Sequence, residues 1–226
     1  MSAATLMHLA RDSAGVLYVI AVMLFIALTV IVERALFLRR VAQGGRAALD
    51  QLDRLDHLDR GSLAALAARH RGLPVERILS AAARLHGPAL RRESLDASLD
   101  EVIMREAPRI DRFLWVLDTI VTLAPLLGLF GTIIGMFNAF QVLSDPGNAP
   151  TQVTGGVAEA LVATASGLFV AMVGLVFFNG LHNRVRFAMH QLETLKASLV
   201  NRMTGVPHSV PQETVEAQSS LAGQGA

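Results

Sequence analysis

The chain has 226 residues, no cysteine and a formal net charge of +1, and 52% of its residues are hydrophobic, giving a mean hydropathy of +0.45. That is too apolar for an ordinary soluble domain, and the lack of cysteine excludes a disulfide framework, a thiolate metal site and a cysteine nucleophile. The near-zero net charge carries no electrostatic footprint of nucleic acid, and no nucleic-acid partner is expected.

The excess apolar content is concentrated in three blocks. After a short N-terminal segment (1–14), residues 15–32 read "GVLYVIAVMLFIALTVIV" without a charge. A spanning helix needs roughly 20 mostly apolar residues, and this block meets that need. It is followed by "ERALFLRR" rather than a small-x-small cleavage site, so it reads as an uncleaved anchor.

Residues 33–115 carry helix signals throughout. Leu49, Leu52, Leu55 and Leu58 recur in "GRAALDQLDRLDHLDRG", which closes at Gly61, and "LPVERILSAAARLHG" places Pro74 in its first turn and Gly87 at its end. The following "LRRESLDASLDEVIMREAPRIDRFLWVLDTIV" mixes both charge signs and runs into the second span, with a kink expected at Pro108. The charge in this region fits a solvated helix face.

The second block is 116–140, the third 156–178, and the 141–155 loop between them contains no Lys or Arg. After residue 179 the tail is first basic and then, past about 204, polar and rich in Pro, Gly, Ser and Gln, a composition expected to be disordered. No strand-like alternation appears. The predicted fold is an all-α membrane protein with three transmembrane helices and long helical cytoplasmic extensions.

Orientation follows from the cations. Of 20 Lys and Arg, 15 lie between Arg34 and Arg112, four follow the third span, and only Arg11 precedes the first. The positive-inside rule puts the N-terminus and the 141–155 loop outside, and the 33–115 region and the C-terminus inside.

Two stripes of small residues stand out. On the second span they are Ala124, Gly128, Gly131, Gly135 and Ala139; on the third, Gly156, Ala160, Thr164, Gly167, Ala171 and Gly174. Such stripes let helix backbones approach closely in lipid, within one subunit or between subunits.

Polar residues mark the same spans. Thr132 and Thr164 each lie about 12 Å below the outer end and are therefore level. Glu159 lies nearer that end, level with about Phe137 or Asn138, and about 20° around the helix from Ser166. Asn138 and Ser166 are its candidate polar neighbours. Two readings stand for Glu159, an acid at the end of the span or a functional intramembrane carboxylate. The threonines either bond back to their own helices or form a polar path with Glu159.

Other chemistries find little support. The seven histidines are scattered, and His182 and His190 are eight apart rather than four, so no metal site is predicted. The glycines of "GLFGTIIGMF" lack the Lys of a phosphate loop. No catalytic constellation is visible, so no enzyme and no cofactor are expected.

"APLLGLFGTIIGMFNAF" (124–140) and "GGVAEALVATASGLFVA" (155–171) closely resemble the second and third spans of the ExbB/TolQ proton channels, relatives of the flagellar stator protein MotA. "PVERILSAAARL" and "REAPRIDRFLWVLDTI" are similar to the cytoplasmic helices of that family, so the resemblance covers roughly 74–180. Three spans with the N-terminus outside fit ExbB and TolQ better than the four-span MotA.

The resemblance implies a homo-oligomeric ring, pentameric in the best-known cases, around a small single-span partner of ExbD or TolR type that supplies a membrane Asp. It implies proton flow that drives a TonB- or TolA-like energy transducer, in the inner membrane of a Gram-negative bacterium. It places the family's intramembrane Glu at Glu159 and its pore threonines at Thr132 and Thr164. Gly128, Gly131, Gly135, Ala160, Gly167 and Ala171 become the packing residues. Two departures stand. "TGGVAEAL" lacks the proline many members carry before the Glu, and "AMVG" has Val173 and Gly174 where many have Ile-Pro. A missing proline removes one helix kink. The rival expectation is a passive three-helix scaffold or receptor accessory without ion flux. A secondary transporter would require an inverted repeat that three spans do not provide.

Overall fold

The computed structural model describes residues 15–55, 57–87, 91–144 and 150–205. The short N-terminal segment, the centre of the 141–155 loop and the tail expected to be disordered lie outside the described residues. Among the described residues six helices occur in chain order: α1 (Val16–Asp53), α2 (Arg60–Arg69), α3 (Pro74–Leu85), α4 (Arg92–Ile110), α5 (Leu114–Ser144) and α6 (Pro150–Met203). No strand occurs among the described residues. α1, α5 and α6 are each long and apolar enough to cross a membrane. Both α5 and α6 extend into the segment read as a loop. Pro150 opens α6 at a position where its missing N–H costs nothing.

The chain divides into two compact units. The first consists of the chain to Arg40 together with Pro108–Ala188. Its buried positions on α1 include Val16, Ile20, Met23, Ala27, Ile31 and Leu38, one stripe at helical spacing. Ala124 and Ala139 on α5, and Ala160, Ala163 and Val170 on α6, are buried as well. The outward face is also apolar: Phe25, Leu126, Ile133, Phe137 and Val176 are each at least 60% exposed. A surface of this kind is stable against lipid rather than water.

Pro108 lies inside α4, two residues before the helix ends. α4 stops at Ile110, and Phe113 takes φ 66°, the left-handed region that a bulky residue rarely enters. Arg34 on α1 braces this turn. Its side chain is almost fully buried and pairs with the Glu33 carboxylate through two bonds of 2.6 and 3.0 Å. Its third nitrogen donates to the Arg109 carbonyl at 3.2 Å, satisfying one acceptor of the last turn of α4. The guanidinium also lies over the Phe37 and Phe113 rings, at 4.9 and 5.5 Å.

The second unit consists of Val41–Ala107 and the chain from Met189. α2 and α3 pack as a helical hairpin. Asp59 caps α2 by accepting from the Gly61 and Ser62 N–H groups, and the Ser62 hydroxyl, followed by these backbone bonds, holds its carboxyl below the usual carboxylate range. Gly72, at φ 81°, supplies the left-handed turn before α3, and its N–H donates to Glu76 at 2.6 Å. Leu63, Ile78, Leu79, Leu95, Leu99, Leu192, Leu195 and Leu199 are fully buried and form the apolar centre of this unit. Lys196 bridges Asp100 (2.7 Å) and Asp96 (3.1 Å), and these partners raise its pKa. Arg202 donates to the Leu52 and Leu55 carbonyls and so closes the C-terminus of α1. Arg77 pairs with the buried Glu106.

Candidate functional site

The two small-residue stripes meet along α5 and α6. A methyl group added to Gly128 would lie 2.9 Å from the Thr164 Cα, and one added to Gly135 would lie 2.7 Å from the Ala160 Cβ. One on Gly131 would lie 2.8 Å from the Ala163 Cβ, and one on Gly156 would lie 3.2 Å from the Ala139 Cβ. At Gly167 it would overlap the Ala124 carbonyl oxygen. The helices therefore run antiparallel with backbones close enough that glycine is required at several levels. Gly174 continues the seam against Val121, whereas Ala171 is only half-buried.

This register fixes the depths of the polar residues. Thr164 lies opposite Gly128, and Ala160 opposite Gly135, so Thr132 and Thr164 are offset by about half a turn, roughly 3 Å. Their hydroxyls behave differently. Thr132 Oγ1 donates to the Leu129 carbonyl of its own helix at 2.6 Å. Thr164 Oγ1 donates across the seam to the Gly128 carbonyl at 2.8 Å. Absence of a side chain at Gly128 makes that carbonyl reachable.

Glu159 is half-buried beside Ala160, level with about Met136, one residue from its expected match with Phe137 or Asn138. Asn138 is exposed. Ser166 lies elsewhere, in an apolar groove of about 660 Å³ lined by Leu17, Tyr18 and Leu24 of α1 and by Val162, Phe169 and Val170 of α6. Helical spacing puts Glu159, Val162 and Ser166 along one face of α6, while Ala160, Ala163, Thr164 and Gly167 face α5. The structure thus brings Thr164 into the α5–α6 seam and sets Glu159 and Ser166 on its flank. Sequence reasoning did not reveal the buried Arg34. A lone Arg next to Glu33 at the end of a span was the available signal.

A family model described as the MotA/TolQ/ExbB proton channel family matches residues 71–194, more than half of the chain and all three candidate polar residues. The chain belongs to the MotA/TolQ/ExbB proton channel family. It is a multi-pass membrane protein and not an enzyme. An ExbB-like biopolymer transport protein of Synechocystis sp. is 35% identical over 202 residues, covering 86% of this chain and 92% of that one. A biopolymer transport protein ExbB homolog of Methanothermobacter thermautotrophicus is 27% identical over 215 residues, covering 94% of this chain and 74% of the relative. The Tol-Pal system protein TolQ of Haemophilus influenzae is 35% identical over 105 residues, or 46% of this chain and 44% of that protein. In this chain, the α5–α6 seam supplies small residues that allow close packing and one hydroxyl, that of Thr164, that bonds across it.

Proposed function

We propose that this chain is the ring-forming proton-channel subunit of an ExbB/TolQ-type motor, with Glu159, Thr132 and Thr164 bordering the proton path. What supports this reading most directly is the family match, which spans the two closely packed helices that carry these three residues. Residues 15–32, 116–140 and 156–178 would cross the inner membrane, with 1–14 and 141–155 outside and 33–115 and 179–226 inside. The excess of arginine in 33–115 supports that orientation. The chain contributes to biopolymer transport or envelope integrity through a small single-span partner of ExbD or TolR type and a TonB- or TolA-like transducer.

The need for a partner follows from composition. The only Asp in the three apolar blocks is Asp118, near the start of the second, so the chain has no deep Asp of its own to load and unload protons. The test is proton uptake by proteoliposomes. Chain plus partner should conduct, either alone should not, and Thr132→Ala with Thr164→Ala should reduce the flux. Equal conduction by the chain alone would contradict the reading.

A further inference from the structure

The cleft between α2 and α3 belongs to the second unit, contains none of the residues proposed for the proton path, and carries an excess of positive charge. It encloses about 330 Å³, at the lower end of the range for small-ligand pockets. Its floor is Ala64, Ala67, Ala68 and Ala83, all with short side chains that leave the space open. Arg60, Arg71 and Arg84 rim it, Ser80 adds a hydroxyl, and Glu76 is the single carboxylate.

Among the described residues, none of these three arginines has a carboxylate partner. Nearby acids are engaged elsewhere. Asp59 caps α2, and Glu76 accepts the Gly72 N–H. The adjoining cleft makes the contrast. It shares Glu76, Ser80 and Arg84, but there Arg77 pairs with Glu106 and Arg105 with Glu101 at 2.5 Å. The α2–α3 cleft sets three arginines against one carboxylate, its neighbour three against two, and in the neighbour two of the three are paired.

Three arginines against one carboxylate leave an excess that matches a dianion. Guanidinium groups offer paired N–H donors that fit phosphate oxygens, and a hydroxyl completes such a site. We propose that the α2–α3 cleft binds a phosphate monoester dianion. The group is presented either by a small soluble phosphate ester or by the headgroup of a phosphatidic acid molecule. The inference does not depend on the proton-path reading.

The experiment uses the full chain. Glycerol 3-phosphate is titrated into protein in neutral detergent, and binding is followed by calorimetry at low and high salt. In parallel, the affinity of the same protein for vesicles of phosphatidylcholine with and without phosphatidic acid is measured. Arg60→Gln, Arg71→Gln and Arg84→Gln are compared with Arg105→Gln, an exposed pair member outside this cleft. All four positions are exposed, so the variants are expected to fold, and helical circular dichroism checks it. The expected result is saturable binding that each cleft variant weakens roughly tenfold or more, with Arg105→Gln unchanged and salt weakening it throughout. Binding of the soluble ester identifies that source. Capture confined to phosphatidic acid vesicles, lost in the same variants, identifies the headgroup. No binding in either arm, or losses that do not follow Arg60, Arg71 and Arg84, overturns the proposal.

Discussion

The Thr164 hydroxyl donates to the Gly128 carbonyl across the α5–α6 seam at 2.8 Å, a contact that a side chain at 128 would obstruct. One hydrogen bond thus ties a candidate pore residue to the close packing of its neighbour helix. Thr164→Val keeps the shape and removes the donor. It should cost about 1 kcal/mol of helix–helix stability, with Thr164→Ser close to the parent. Thr132→Val should cost less, because Thr132 bonds only within its own helix. Thermal unfolding in detergent measures both.

Glycine substitutions should separate the seam from its surroundings. Gly128→Ala and Gly167→Ala place a methyl group against the backbone of the facing helix, where no side chain can move aside. Each should destabilise the chain by about 1–3 kcal/mol. Gly180→Ala meets nothing within 4 Å and should be neutral or slightly stabilising. Stability measured across this set checks the register directly.

Arg34 should prove indispensable to the α4–α5 turn. Arg34→Ala removes a buried guanidinium that satisfies Glu33, the Arg109 carbonyl and two aromatic faces. The expected loss is about 2–3 kcal/mol, and Arg34→Lys should rescue little of it, since an ammonium lacks the planar fork. A Tm close to the parent for Arg34→Lys would contradict this account of the turn.

Burial lowers the pKa of His70, with the Arg69 charge adding to the effect, and its Nε2 is enclosed without a hydrogen-bond partner. The folded state therefore favours the neutral imidazole more than the unfolded chain does, which protonates near pH 6.5. Stability from this group is complete above about pH 6.5 and declines as pH falls below it. His70→Leu should flatten that part of the stability profile, measured by unfolding between pH 7 and 5.

Three membrane helices and the facing stripes were legible in the sequence because lipid imposes length and close packing imposes small residues. Counting placed Thr132 and Thr164 level, whereas the facing pairs along the seam offset them by roughly 3 Å. The break at 111–113 was not legible. "IDRF" has neither Gly nor Pro to mark it. Arg34 meets Arg109 across 75 residues, a pairing that no local pattern encodes. Helical spacing already put Glu159 and Ser166 on one face, but it could not reveal that this face borders a groove against α1.

The central claim is that Glu159 serves proton passage. Its most direct measurement is proton flux in proteoliposomes containing the chain and its single-span partner, comparing Glu159→Gln with the parent at equal assembly. The account predicts that flux falls at least tenfold while the complex remains intact by size-exclusion chromatography. Undiminished flux in Glu159→Gln would contradict it, and a complex that assembles normally without ever conducting would favour a passive scaffold.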